Sequence, residues 1–317
     1  MRRVKVAVIQ ACPVLFDSEA TIARVQELTG RAAEEGAQLV LLPEAFVSGY
    51  PKGLDFGARI GSRTESGREM FRRYWDGAIN VPSASTKELG RIAREANVYL
   101  VIGVIERDSG TLYCTVLFFA ANGQLLGKHR KLMPTAMERI IWGFGDGSTM
   151  PVFNTPHGRI GAIICWENYM PLLRTHMYEK GIQIYCAPTV DDRENWLSSM
   201  RHIAVEGRCF VLSANQYLTR ADCPENYEGL EDLPPETVLI RGGSCIVDPI
   251  GRVLAGPYVK GPTILTAELD LDEITRGKYD LDVVGHYSRP DIFQLHVNEA
   301  PQPVTVRFQQ PKKEPTD

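Results

Sequence analysis

Three polar residues able to do covalent chemistry each follow an apolar run. Glu44 comes directly after Gln38–Leu42 and Pro43. Lys131 closes the basic run Lys128-His129-Arg130-Lys131. Cys165 ends the stretch Gly158-Arg159-Ile160-Gly161-Ala162-Ile163-Ile164. A carboxylate at the mouth of a sheet among apolar neighbours has its pKa raised, which suits a general base. A lysine turned inward, where the basic run meets Leu132-Met133-Pro134, can stabilise an anionic intermediate. A thiol at a strand-to-helix turn is a candidate nucleophile. The helix N-terminus or a neighbouring cation can activate it toward thiolate, and backbone N–H groups there can point at developing charge. Each residue alone also has a plain structural reading: a packed cysteine, a solvated loop glutamate, a solvated charge run. Together they supply base, cation and nucleophile at the ends of three strands, where ligands gather in α/β sheets.

The elements that must position them alternate. Strands are predicted over Val4–Ala11, Gln38–Leu42, Val98–Ile105, Thr111–Ala120, Gln124–His129, Gly161–Ile164, Ile182–Ala187 and Cys209–Ala214, with two more near Gly243–Val247 and Thr263–Leu269. Helices are predicted from a Ser18 cap to Glu35 with Gly36 as the stop, over Ser83–Asn97, from about Pro171, and over Arg193–Glu206. Gly49 to Asn80 reads as a long functional loop with some helix in it, and 131–150 as another loop. Asp108-Ser109-Gly110 and Asn122-Gly123 are hairpin turns. Alternation together with hairpin order implies mixed rather than purely parallel sheets. The expected organisation is one domain over residues 1–300 and a polar, proline-containing tail over 301–317.

Composition narrows the class. The 317 residues are 44% hydrophobic and 23% charged, enough for a substantial core. A net charge of -4 without a basic face gives no footprint for nucleic acid. No apolar run reaches the roughly 20 residues of a membrane span, and the lysine-interrupted start is not read as a signal peptide. Seven cysteines without a CxxC pair argue against a zinc ribbon, a redox motif or a disulfide framework, and point to reduced thiols in the cytoplasm. No His/Cys/carboxylate cluster suggests a metal. Gly143-Phe144-Gly145-Asp146-Gly147 lacks the Lys-Ser/Thr ending of a phosphate loop and is read as a flexible pocket loop. A Cys–His protease reading is weak, since His202 is expected on a helix face.

From Val4 to about Asn298 the sequence resembles the nitrilase superfamily. The resemblance rests on the three residues above and on longer motifs. These are Cys165-Trp166-Glu167-Asn168, Lys131-Leu132-Met133-Pro134-Thr135 with Glu138-Arg139, Trp142-Gly143-Phe144-Gly145-Asp146-Gly147, His202-Ile203-Ala204, Glu206-Gly207-Arg208-Cys209 and Gly285-His286-Tyr287-Ser288-Arg289-Pro290. The residues after the cysteine look like the nitrilase branch rather than the amidase or carbamoylase branches. The resemblance implies a four-layer αββα sandwich with two mixed sheets and a catalytic triad of Glu44, Lys131 and Cys165. It also implies a second glutamate, Glu138, holding Lys131 or the substrate, the alternative being a loop carboxylate paired with Arg139. Trp166, Tyr50 and Thr189 are the candidate pocket residues, each with packing as its alternative. The implied activity is hydrolysis of a small nitrile by water, with no metal or organic cofactor, in a homodimer or larger homo-oligomer. A same-fold amidase is the main rival, and a non-catalytic scaffold a lesser one. The chain ends sooner than the extended bacterial nitrilases that form spirals, which puts long filaments, though not a dimer, in doubt.

Overall fold

The computed structural model describes residues 3–303 and residue 305. In chain order the elements are β1 (Arg3–Gln10), α1 (Ser18–Glu34), β2 (Leu39–Leu41), α2 (Glu65–Gly77), β3 (Ile79–Asn80), α3 (Ala84–Ala96), β4 (Tyr99–Asp108), β5 (Thr111–Phe119), β6 (Leu125–Arg130), β7 (Val152–Thr155), β8 (Gly158–Ala162), α4 (Pro171–Glu179), β9 (Ile184–Cys186), α5 (Asn195–Gly207), β10 (Phe210–Ser213), β11 (Tyr217–Thr219), β12 (Val238–Arg241), β13 (Ser244–Val247), β14 (Val253–Tyr258), β15 (Thr263–Asp270) and α6 (Asp272–Gly277). Most of the expected tail lies outside the described residues, and residues 301–303 and 305 carry no regular element.

Among the described residues, one sheet runs β15-β1-β2-β4-β5-β6, with β3 added on β4, and the other runs β14-β13-β10-β9-β8-β7. In the first, β1, β2 and β4 are parallel while β15 and β5 are antiparallel to their neighbours. In the second, β8, β9 and β10 are parallel and β7, β13 and β14 antiparallel. Both sheets are therefore mixed.

Alternate residues of each strand face opposite ways, and three apolar layers follow. Val6, Val8, Leu39 and Leu41 of the first sheet meet Ile160, Ala162, Ile184 and Leu212 of the second. The other face of the first sheet, Ala7, Ile9, Val40 and Leu100, takes Ile22, Val25 and Leu28 of α1 and Leu89 and Ile92 of α3. The other face of the second, Ile163, Tyr185 and Val211, takes Leu173 and Met177 of α4 and Trp196, Met200 and Ile203 of α5. That is the four-layer αββα sandwich. The central parallel strands are buried on both faces, which is why they read as continuous apolar runs.

Several local expectations change. Asp17, not Ser18, caps α1, accepting the Ala20 N–H at 2.9 Å, because its carboxylate reaches the third amide of the turn. Gly36, at φ +87°, ends that helix where a side chain would be strained. The segment 49–80 contains the helix α2. The glycine loop at 143–147 is tied to the first sheet and the Lys131 loop at two points. Gly143 N–H bonds the Leu112 carbonyl and Gly145 N–H the Lys131 carbonyl, both at 2.8 Å. A Cβ on either glycine would press into Tyr113 or the Arg130 backbone.

The sheets place the site. Since β5 is antiparallel to both β4 and β6, β6 points the same way as β2. The residues after β2 and β6 therefore emerge at one edge. Gly103 of β4 lies beneath the loop after β2: its N–H donates to the Pro43 carbonyl and its own carbonyl accepts from Phe46 and Val47. A Cβ there would stand 2.3 Å from the Pro43 carbonyl oxygen and 2.7 Å from the Glu44 Cα. Both contacts are backbone, so the loop itself must move. Gly103→Ala is expected to destabilise the fold by about 1–3 kcal/mol through overpacking. It should also lower kcat by displacing Glu44, both read by urea unfolding and steady-state kinetics on the same preparation.

Candidate active site

Glu44, on the loop after β2, is fully buried. Its Oε1 accepts Lys131 Nζ at 2.7 Å and lies 3.5 Å from Cys114 Sγ. Its main-chain carbonyl is held by Gln216 Nε2 at 2.8 Å, a bond that joins the loop after β2 to the segment after β10. Oε2 has no hydrogen-bond partner among the described residues. One oxygen is thus anchored and the other is left to work. Burial raises the Glu44 pKa, partly opposed by Lys131 and reinforced by Glu138.

Lys131 follows β6, its main-chain N–H bonded to the Cys114 carbonyl of β5 at 2.8 Å. Its ammonium, also buried, bridges Glu44 and Glu138 Oε2, the latter at 2.8 Å. The Trp142 ring lies beside it, 5.5 Å from Nζ to the centroid. Burial alone would favour the neutral amine, but the carboxylates outweigh it, and the pKa stands well above the ordinary lysine value. Within the basic run, neighbours face opposite ways: Lys128 and Arg130 both bind buried Glu106, while His129 and Lys131 point inward. The inward-turned cation read from the sequence is Lys131.

Glu138 sits on a 3-10 turn (Ala136–Ile140) after the Lys131 loop. Besides Lys131 it accepts the Thr135 N–H at 2.6 Å and the Tyr50 hydroxyl at 2.9 Å. Arg139 instead donates to the Pro134 carbonyl. Glu138 thus contacts Lys131, and no Glu138–Arg139 ion pair is present among the described residues.

Cys165 opens a 3-10 turn (Cys165–Tyr169) just past β8, with φ +51°, a left-handed conformation that turns the chain sharply at this point. Its N–H donates to the Pro188 carbonyl at 2.9 Å, and Asn168 Nδ2 caps its carbonyl at 2.7 Å. Thr189 Oγ1 donates to Sγ at 3.2 Å. Among the described residues no main-chain carbonyl accepts the Trp166 N–H. The thiol and the Glu44 carboxylate are close enough to shift each other's titration. Burial, then the Glu44 charge, pushes the thiol well above the ordinary cysteine range despite Lys131. That direction works against the activation toward thiolate that a helix N-terminus or a neighbouring cation could give.

The pocket candidates divide. Thr189 touches the sulfur. Tyr50 touches Glu138, packs edge-on against Trp142, and lines a cavity of about 250 Å³ with Pro51, Leu54, Phe56 and Ile141. Trp166 is 41% exposed, its indole N–H on Asp191 at 2.9 Å and the Arg193 guanidinium 4.6 Å over its ring. Sequence reasoning missed Cys114, Gln216, Asp191 and Arg193. Cys114 was findable, because its strand directly precedes the one that leads into Lys131 and alternation turns it inward. The others come from distant loops and had no local signal.

A family model described as carbon-nitrogen hydrolase matches residues 5–279. The chain is 58% identical over 306 residues to an aliphatic nitrilase of Sinorhizobium fredii (strain HH103), covering 96% of this chain and 99% of that one. It is 58% identical over 308 residues to a bifunctional nitrilase/nitrile hydratase NIT4A of Lupinus angustifolius, covering 95% and 88%. Among solved structures it is similar to Nit3 of Saccharomyces cerevisiae, a member of branch 10 of the nitrilase superfamily, with TM-score 0.70, 25% identity and coverage of 90% and 97%. An amidase from Nesterenkonia sp. shares the fold at TM-score 0.65 and 21% identity, covering 86% and 92%.

Proposed function

This chain belongs to the carbon-nitrogen hydrolase family, in its nitrilase branch, and on that premise we propose that it hydrolyses an organic nitrile to the carboxylic acid and ammonia through a covalent intermediate on Cys165. The observation that carries the proposal is the buried Lys131 ammonium bridging Glu44 and Glu138, with the Cys165 thiol close enough to the Glu44 carboxylate for each to shift the other's titration.

Glu44 Oε2 takes the Cys165 proton as sulfur attacks the nitrile carbon, then returns it to nitrogen, giving a thioimidate. A water, deprotonated by Glu44, adds to that carbon. Lys131 and the Trp166 N–H stabilise the tetrahedral species. Nitrogen leaves as ammonia and a thioester remains. A second water, activated in the same way, releases the acid and restores the thiol. In sum one nitrile and two waters give one acid and one ammonia. Glu138 holds Lys131 in place, while Tyr50, Thr189 and Trp166 shape the approach. Should the tetrahedral species expel sulfur instead of ammonia, the product is the amide, the second activity named for the lupin relative.

The amidase reading is the weaker one, resting on shared fold at 21% identity. Aliphatic, aromatic and arylacetonitriles assayed beside their matching amides separate the two. Acid and ammonia from nitriles, with the amides inert, is the expected outcome. Turnover of amides alone overturns the nitrile reading while leaving the family.

No helix among the described residues is long and apolar enough to cross a membrane. Free thiols at all seven cysteines support a reducing, cytoplasmic setting. Light scattering is expected to give the mass of a homodimer or larger oligomer, and a 35.3 kDa particle would refute that.

A further inference from the structure

A buried pair behind the nucleophile turn has no part in the chemistry above. Glu167 and His129 are 1% exposed or less. Glu167 Oε1 accepts the Leu132 N–H at 2.6 Å, and Oε2 accepts the Ile164 N–H at 3.0 Å. Oε2 also lies 3.0 Å from His129 Nε2, and His129 Nδ1 lies 2.6 Å from the Thr149 carbonyl. Leu132 follows the active-site lysine and Ile164 precedes the nucleophile. One carboxylate therefore grips the immediate neighbours of both.

The partners fix the protonation. A carbonyl only accepts, and a carboxylate that already holds two main-chain N–H donors presents an acceptor to the ring. Both imidazole nitrogens face acceptors, so both carry a proton. We propose that Glu167, paired with a His129 imidazolium, is a positioning residue that fixes the spacing between Cys165 Sγ and Lys131 Nζ. This rests on the reading of those two residues as nucleophile and cation. The titration of His129 agrees: burial alone would lower its pKa, but Glu167 outweighs burial and raises it. The groups facing the ring are the Glu167 carboxylate and the Thr149 carbonyl. Removing the pair loosens the active site without touching the substrate, and a misplacement of about 1 Å is worth on the order of 10²-fold in rate.

The wild-type protein gives the first test. With ¹⁵N-labelled histidine at pH 7.5, one of the six histidine rings should show both nitrogens protonated, and His129→Gln should remove that signal. A neutral His129 ring overturns the proposal. Kinetics with a nitrile follow. Glu167→Gln and His129→Gln should each lose on the order of 10²-fold in kcat with KM nearly unchanged. The double variant should lose less than the product of the two, as coupled partners do. Wild-type kcat in folded Glu167→Gln overturns the proposal. So does loss of fold in both variants, which would assign the pair to stability. Were the wild type itself inactive on nitriles, the functional reading would fail, while the ring signal would still decide the state of the pair.

Discussion

Cys165→Ala should retain its fold and lose essentially all turnover of nitriles. The side chain removed is small, and the turn around it is held by backbone and neighbours: the residue 165 N–H on Pro188, its carbonyl under Asn168, and the Glu167 carboxylate on the Ile164 N–H. None of these contacts involves sulfur. Unfolding midpoints should therefore match the wild type closely. Without sulfur there is no covalent route, and loss of a nucleophile that acts as part of a unit typically costs on the order of 10⁶-fold in kcat. Cys165→Ser should be nearly as inactive. Burial already pushes the thiol pKa up, and an alkoxide in the same pocket is harder still to form. Initial-rate ammonia release beside thermal unfolding checks both. A folded Ala variant with near wild-type rate would remove Cys165 from the mechanism.

Lys131→Met should lose both activity and stability. The ammonium is the shared partner of Glu44 and Glu138 in a buried site. Removing one member of a buried ion cluster leaves charge uncompensated, worth about 3–5 kcal/mol. The sign with pH follows from Glu44, whose pKa burial already raises and which loses its main opposing cation in the variant. Raised above its unfolded value, a carboxylate favours the folded state least once pH exceeds the folded pKa, and most below the unfolded pKa near 4.3. The deficit of Lys131→Met relative to wild type should thus be largest at neutral pH and shrink toward about pH 4. Urea unfolding at several pH values reads it. An equal deficit throughout would contradict the buried cluster. Glu44→Gln, which keeps a polar group beside Lys131, should lose activity with a much smaller loss of stability.

Much of this arrangement was legible in the sequence, for a physical reason. The parallel strands are buried on both faces, so their apolar runs stand out, and the residues that end them, Glu44 and Cys165, mark the edge where loops converge. Lys131 was legible because a charge run meeting Leu132-Met133-Pro134 cannot be wholly solvated. Strands at the margins were not. Val253–Tyr258 of β14 is mostly exposed and contains Gly256-Pro257, and β11 and β12 form a separate two-stranded pair. Neither shows the apolar alternation that announces a strand. The charge state of Cys165 was also hidden, because it depends on how deeply the turn is buried and on Glu44, more than 100 residues away. The role of Gln216, tying the Glu44 loop to the segment after β10, depends wholly on how the sheets stack.

The mechanism turns on a covalent bond between substrate carbon and Cys165. It is tested most directly by quenching the wild-type protein in acid during its first turnovers of a nitrile and mapping the peptides by mass. The peptide bearing Cys165 should gain the acyl group of the substrate in place of a proton, Cys165→Ala should gain nothing, and Glu44→Gln should fail to form or clear the adduct. An acyl group found on another residue, or steady ammonia release from the Cys165→Ala protein, would contradict it.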